Sequence, residues 1–349
     1  MDNSIYHINF SKLCEKYNLG QLTTEPEQVH GGFLHRMYQL KTDKDEYAVK
    51  ALNPQIMKRD AAMNNYIFSE KVSNVALQNG INALPAIISK GSCIHEVEGQ
   101  YYLLFPWIQG KTLPTGIVDM DCCIAIGETL AKIHRIDLTQ LLDRSEGENE
   151  PVLTTDHVDW NEYAIKGQSD NLVWSSLLLD HLDKLYYWDK LADASAKLLM
   201  NNCVISHRDL DQKNVLWDKN KVPTIIDWEA AGITNPTLEL IDVALYWSGF
   251  ESGNLSEDAF CSVIRTYQNH GGKASDNWLD VLNCGFQGKL EWLAYNMRRS
   301  LGLESTDDSE QQLGTREVIK TIQALNDYAD IIPQCIEWIG GIDESGMRS

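Results

Sequence analysis

His207-Arg208-Asp209-Leu210-Asp211-Gln212-Lys213-Asn214, followed by Val215-Leu216-Trp217, a polar turn and Thr224-Ile225-Ile226-Asp227-Trp228-Glu229, is the stretch that decides the reading. The apolar run Cys203-Val204-Ile205 leads into it. The two short runs on either side of Asp218-Lys219-Asn220-Lys221 read as the arms of a hairpin, and the second arm delivers Asp227. Asp209, on a loop, is placed to accept a proton from a hydroxyl. Five residues later Asn214 offers an amide oxygen, and Asp227 adds a carboxylate; both are hard ligands of the kind magnesium takes. A positioned carboxylate beside a nucleophile, with oxygen ligands for a phosphate-neutralising metal, is the set that phosphoryl transfer requires.

Upstream elements fall in the order this chemistry needs. Tyr47-Ala48-Val49-Lys50 puts a lysine at the end of an apolar strand, where it can pair with the α and β phosphates. Such a lysine needs a carboxylate to hold it. Glu70 is the expected partner, because it shares the apolar face of a helix read over 59–79 with Met63, Tyr66, Ile67 and Leu77, where an unpaired charge is costly. Before the lysine lies His30-Gly31-Gly32-Phe33-Leu34-His35-Arg36-Met37-Tyr38, in which Gly31 and Gly32 allow backbone amides to approach phosphate oxygens. The interval from Asp209 to Asn214 is also that of the protein-kinase catalytic loop.

Composition narrows the partners. The 349 residues carry 30 Lys plus Arg against 50 Asp plus Glu, a formal net charge of −20, so no basic face is expected for nucleic acid. No run of about 18 apolar residues suggests a membrane span, and the first residues lack the basic flank and apolar core of a signal peptide, so a cytoplasmic protein is expected. The eight cysteines show no Cys-x-x-Cys pair and read as buried free thiols. Strands are expected at 33–40, 46–52, 86–89 and 100–107, and helices at 122–135, 177–201 and over much of 256 to the end. The change of period places a boundary after residue 107, giving lobes 1–107 and 108–349, with a polar insertion at 143–171.

Taken together, these motifs resemble the aminoglycoside phosphotransferase and choline kinase superfamily. The resemblance rests on Gly31 to Tyr38, Lys50, the segment Tyr101 to Gly110, Ile126 to His134, His207 to Asn214, Ile226 to Glu229 and Pro236 to Leu245, and spans roughly residues 25 to 300. It implies an α+β, bilobed protein-kinase-like fold with a small antiparallel-sheet N-lobe and a large, mainly helical C-lobe. It also implies ATP (or GTP) and Mg2+ as cofactors, with Gly31, Gly32, His35, Lys50, Glu70 and the hinge residues Phe105 and Trp107 at the nucleotide. Asp209 is then the catalytic carboxylate, and Asn214 and Asp227 the metal ligands. Arg208 departs from the glycine of many small-molecule kinases, and Asp227-Trp228-Glu229 runs into Ala230-Ala231-Gly232 with little room for an activation loop, which disfavours a protein substrate.

The acceptor is expected to be a small cationic molecule. Asp156, Asp159, Asp211, Glu229 and Glu239 are the candidate residues for it, and Trp160, Trp228, Trp247 and Trp292 are candidates for an aromatic cage. An aminoglycoside-like amino sugar is the preferred substrate. Choline, homoserine, thioribose or another sugar is the alternative, and a catalytically silent nucleotide-binding homologue is a reading of another class.

Overall fold

Five short segments between Glu27 and Pro106 form a five-stranded antiparallel sheet. The computed structural model describes residues 5–29, 34–138, 141, 158–199 and 201–346. The chain makes two compact units, Met1–Leu113 with Lys213–Ala231, and Pro114–Gln212 with Gly232–Ser349. The first unit is therefore discontinuous, where the sequence reading places a single cut after residue 107.

In the first unit, α1 (Phe10–Tyr17) precedes β1 (Glu27–Val29), β2 (Arg36–Lys41), β3 (Glu46–Ala51), α2 (Ala62–Gln78), β4 (Ile94–Val97) and β5 (Gln100–Pro106). The strand order is β1-β2-β3-β5-β4. Register pairs Lys50 with Met37 on one side and Leu103 on the other, so the lysine lies on a central strand rather than at an edge. The segment expected as a strand at 86–89 is irregular, and Ile87 N–H donates to the Leu104 carbonyl. The strand that does pair there, β4, turns into β5 through Glu98 and Gly99, both with positive φ (53° and 84°), as a two-residue hairpin requires.

The second unit begins with α3 (Met120–His134), α4 (Trp160–Ser169), α5 (Ser175–Asp180), α6 (Leu182–Leu199) and β6 (Val204–Ser206). The hairpin of β7 (Val215–Trp217) and β8 (Pro223–Ile225) then returns to the first unit, where Lys111 pairs with Trp217 and Ala83 with Ile225. The second unit resumes with β9 (Gly232–Thr234), paired with β6. It continues through α7 (Pro236–Trp247), α8 (Glu257–Asn269), α9 (Trp278–Cys284), α10 (Phe286–Ser300) and α11 (Asp308–Gly346). Asn235 caps α7 by accepting from Thr237 N–H and Leu238 N–H, with Pro236 at the first helical position. The eight cysteines are free thiols, all buried except Cys203, which is half-buried.

Candidate active site

The lysine end of β3 in the first unit gathers four ionisable or polar groups. Lys50 Nζ donates to Asp227 Oδ1 at 2.6 Å and to Glu229 Oε2 at 2.7 Å. Burial alone would lower the ammonium's pKa, but the charges of Asp227 and Glu229 outweigh it and hold Lys50 protonated well above its usual range. Glu229 answers in kind: burial would raise its carboxyl, yet Lys50 and then His35 hold it far below the usual carboxylate range. The turn that carries these acids is built by sequence. Asp227 ends the hairpin in the left-handed region (φ 58°), and a single 3-10 turn over Trp228–Ala230 follows. The Trp228 indole, 2% exposed, donates to the Ile225 carbonyl, and α2 packs against this turn.

Several sequence expectations are corrected here. Lys50 and Glu70 form no ion pair among the described residues; Glu70 instead accepts from Ala86 N–H at 2.6 Å. Its buried carboxyl is pushed up to about 7, with the Ala86 hydrogen bond and the Lys50 charge only partly opposing that shift. His35 is buried, its Nδ1 accepting from Asn53 N–H at 2.9 Å and its Nε2 lying 2.7 Å from Tyr66 Oη, so the ring braces the lysine cluster rather than reaching toward a ligand. Glu229, expected near an acceptor, is a partner of Lys50. Gly31, Gly32 and Asp156 lie outside the described residues.

The hinge reading also shifts. Trp107 N–H donates to the Glu46 carbonyl at 2.9 Å, and the alternation of an antiparallel ladder directs the Phe105 backbone groups toward Ala48 of β3. The Phe105 ring is buried in the core. Among residues 105–107, Pro106 is the one whose carbonyl points away from β3, and it is exposed.

Asn214 and Asp227 are neighbours in the first unit, since Ile226 N–H donates to the Asn214 carbonyl at 3.0 Å across the β7–β8 hairpin. One carboxylate and one amide oxygen match magnesium, which keeps several waters and takes one or two protein ligands alongside phosphate. The donor set fits.

In the second unit the loop before β7 is fastened to α7 at two points. Arg208 N–H donates to Glu239 at 2.7 Å, and the Trp247 indole donates to the Leu210 carbonyl at 2.9 Å. Arg208 sits in the left-handed region (φ 66°), a conformation glycine adopts without strain. Glu239 also meets His134 Nε2 at 3.1 Å, and although burial would raise its carboxyl, His134 and the Arg208 amide keep it below the usual range. It is a buried brace, and this corrects its place among the acceptor candidates. Asp159 is likewise accounted for: it caps α4, accepting from Glu162 N–H and from the Tyr186 hydroxyl. Trp160, Trp228 and Trp247 are core residues, so they build no aromatic cage; Trp292 lies on α10, its ring 5.5 Å from that of Tyr295.

Two residues that the sequence reading missed lie beside the loop. Along α7 every residue is buried except Leu238, Asp242 and Tyr246, a stripe spaced by four. Among the described residues neither Asp242 nor Tyr246 makes a hydrogen bond or ion pair. Both lie between the two fastening points, and Asp242, Asp209, Asp211 and Glu251 all raise the Tyr246 phenol beyond what burial does. Burial pushes Asp242 up to about 6, with Lys289 opposing and Glu239 reinforcing that shift. Their spacing of four was visible in the sequence, but the apolar residues all around α7 gave no period to set them apart.

The fold is that of the protein-kinase-like small-molecule phosphotransferases. Residues 25–267 match the phosphotransferase enzyme family, and the chain belongs to it. Among solved structures it resembles a spectinomycin phosphotransferase in complex with ADP and spectinomycin, at 13% identity over 93% of this chain and 99% of that one, with a TM-score of 0.68. It also resembles the choline kinase of Cryptosporidium parvum Iowa II (14%, 95% and 98%, 0.60) and a microcompartment-associated aminopropanol kinase (11%, 93% and 98%, 0.59). No curated protein matches the sequence.

Proposed function

We propose that the protein transfers the γ-phosphoryl group of ATP to a hydroxyl of a small amine-bearing molecule. The observation that carries this is the buried Lys50 bonded to Asp227 at the end of a hairpin that also holds Asn214, in a chain of the phosphotransferase family. The neighbours named for spectinomycin, choline and aminopropanol support a small-molecule acceptor.

In this reading Lys50 pairs with phosphate oxygens of the nucleotide, and Asn214 and Asp227 hold magnesium. The metal, when bound, supplies positive charge to the β and γ phosphate oxygens. Asp209 accepts the proton of the acceptor hydroxyl as its oxygen bonds to the γ phosphorus and the bond to the ADP oxygen breaks. The α7 stripe beside the Asp209 loop receives the rest of the acceptor. Asp242 offers a carboxylate to an ammonium and Tyr246 a phenol to a hydroxyl, which favours amino sugars and amino alcohols over neutral sugars.

ADP release with ATP and magnesium, screened across aminoglycosides, choline, short amino alcohols and neutral sugars, tests the reading. Asp209→Asn is expected to lower turnover by roughly two to four orders of magnitude while leaving ATP binding nearly intact. Equal loss of binding and rate would remove Asp209 from that role, and turnover on neutral sugars alone would remove the amine preference.

A further inference from the structure

We infer that Lys289 on α10 is a specificity residue for the acceptor, a positive pole beside the Asp242 carboxylate that selects molecules carrying a carboxylate-type anionic group along with their amine and hydroxyl. This rests on the acceptor reading above and narrows it from amines in general to hydroxyl-bearing zwitterions. Both poles belong to the second unit. The Lys289 ammonium lies 4.2 Å from the centre of the Tyr328 ring on α11. That ring is fixed: it is buried, its hydroxyl donates to the Leu282 carbonyl of α9 at 2.6 Å, and Phe286 meets it edge-on at 5.0 Å. Phe250, just past the end of α7, approaches the same ring at 6.3 Å. Asp242 raises the Tyr328 phenol and the Cys284 thiol beyond what burial does, so the lysine, its aromatic platform and the carboxylate share one corner of the unit.

The two charges do not satisfy each other. Among the described residues neither Lys289 nor Asp242 makes a hydrogen bond or an ion pair, although both are half-buried. Half-buried charges without partners are costly. A ring face covers one side of an ammonium that has three donors, so Lys289 keeps donors to offer a ligand. The lysine stem is flexible, and the aromatic platform is what holds its charge off Asp242. Asp209, Asp211, Asp242 and Glu251 all act on Tyr246, and a polyamine would suit those acids. Lys289 works against a polyamine: a second ammonium placed there meets a like charge, whereas a carboxylate meets a donor. One molecule with an ammonium for Asp242 and a carboxylate for Lys289 satisfies both poles, and the like-charge term rejects the rest.

The experiment uses acceptors matched but for one carboxylate, ethanolamine against L-serine and 3-aminopropan-1-ol against L-homoserine. Each is given to the wild type, Lys289→Met and Lys289→Arg in the full chain. Lys289→Met keeps an apolar stem on Tyr328 and removes the charge. It is expected to raise the KM of the amino acids by about tenfold or more, the scale of one charged hydrogen bond. The same variant is expected to lower the KM of the amino alcohols by about two- to threefold, because a like charge is gone. Lys289→Arg is expected to keep the wild-type order. Opposite shifts within a pair cannot come from a general loosening of the fold. KM values that stay put or move together in both members would overturn the inference. So would a wild type that turns over amino alcohols or aminoglycosides but neither amino acid, and that outcome leaves the amine reading standing. If Lys289→Met does not fold, Lys289→Gln is read the same way. A wild type that turns over no amine-bearing compound would sink the amine reading and this inference together.

Discussion

Glu70 shows how surroundings decide what a carboxyl group does. Its single amide partner does not offset burial, and its pKa of about 7 in the folded protein stands above the ordinary 4.5. The folded state therefore binds the proton more tightly than the unfolded chain. Its contribution is fully present below pH 4.5 and declines as pH rises through 7, by at most about 3 kcal/mol for this one group. Glu70→Gln keeps an oxygen for the Ala86 amide and cannot ionise, so its urea-unfolding stability should fall less than that of the wild type between pH 5 and pH 8. Parallel curves for the two proteins would remove Glu70 as a source of pH dependence. Arg208 teaches a second lesson at this scale: its left-handed backbone explains why glycine is at home at that position in related loops, and the Glu239 and Trp247 contacts are what hold an arginine there.

Helices whose burial is one-sided were legible from periodicity, and α2 and α3 fall within three residues of their expected bounds. Elements without a one-sided face were not. The helix α7 is apolar nearly all round because it is packed nearly all round, so it offered no helical period, and Pro236 to Leu245 stood out only as a segment resembling the family. The strand β4 escaped because Glu98-Gly99 is not one of the dipeptides that announce a two-residue turn, although the backbone adopts that turn. Lys50, Asp209, Asn214 and Asp227 stood out in the sequence because phosphoryl transfer demands those residue types at those intervals. The partner of Lys50 was not, since Glu70 has the right helix and the right face, and only the path of the 228–230 turn places Glu229 closer. Helix contact at this scale is set by small residues: a Cβ at Gly314 of α11 would lie 2.7 Å from Ser300 N and 2.9 Å from the Asn296 carbonyl on α10. Gly314→Ala should therefore push the two helices apart and lower stability by about 1–3 kcal/mol. A melting curve identical to the wild type would show that α10 and α11 can slide at no cost.

At the scale of the whole molecule, the net charge of −20 draws cations and repels anions over about a Debye length. Raising salt from about 0.05 to about 0.5 M should increase the KM of a doubly charged amine acceptor several-fold and leave that of a neutral one nearly unchanged. A flat response for both would mean that local contacts alone set acceptor affinity. The discontinuity of the first unit bears on biosynthesis. Its sheet is fully translated by residue 106, but the β7–β8 hairpin, with Asp227 and Glu229, emerges only after 99 intervening residues of the second unit (114–212) have been made. During that interval Lys50 has neither of its acids, and Ala83 and Lys111 lack their strand partners. The first unit therefore cannot reach its native electrostatics until the ribosome has moved well past residue 229.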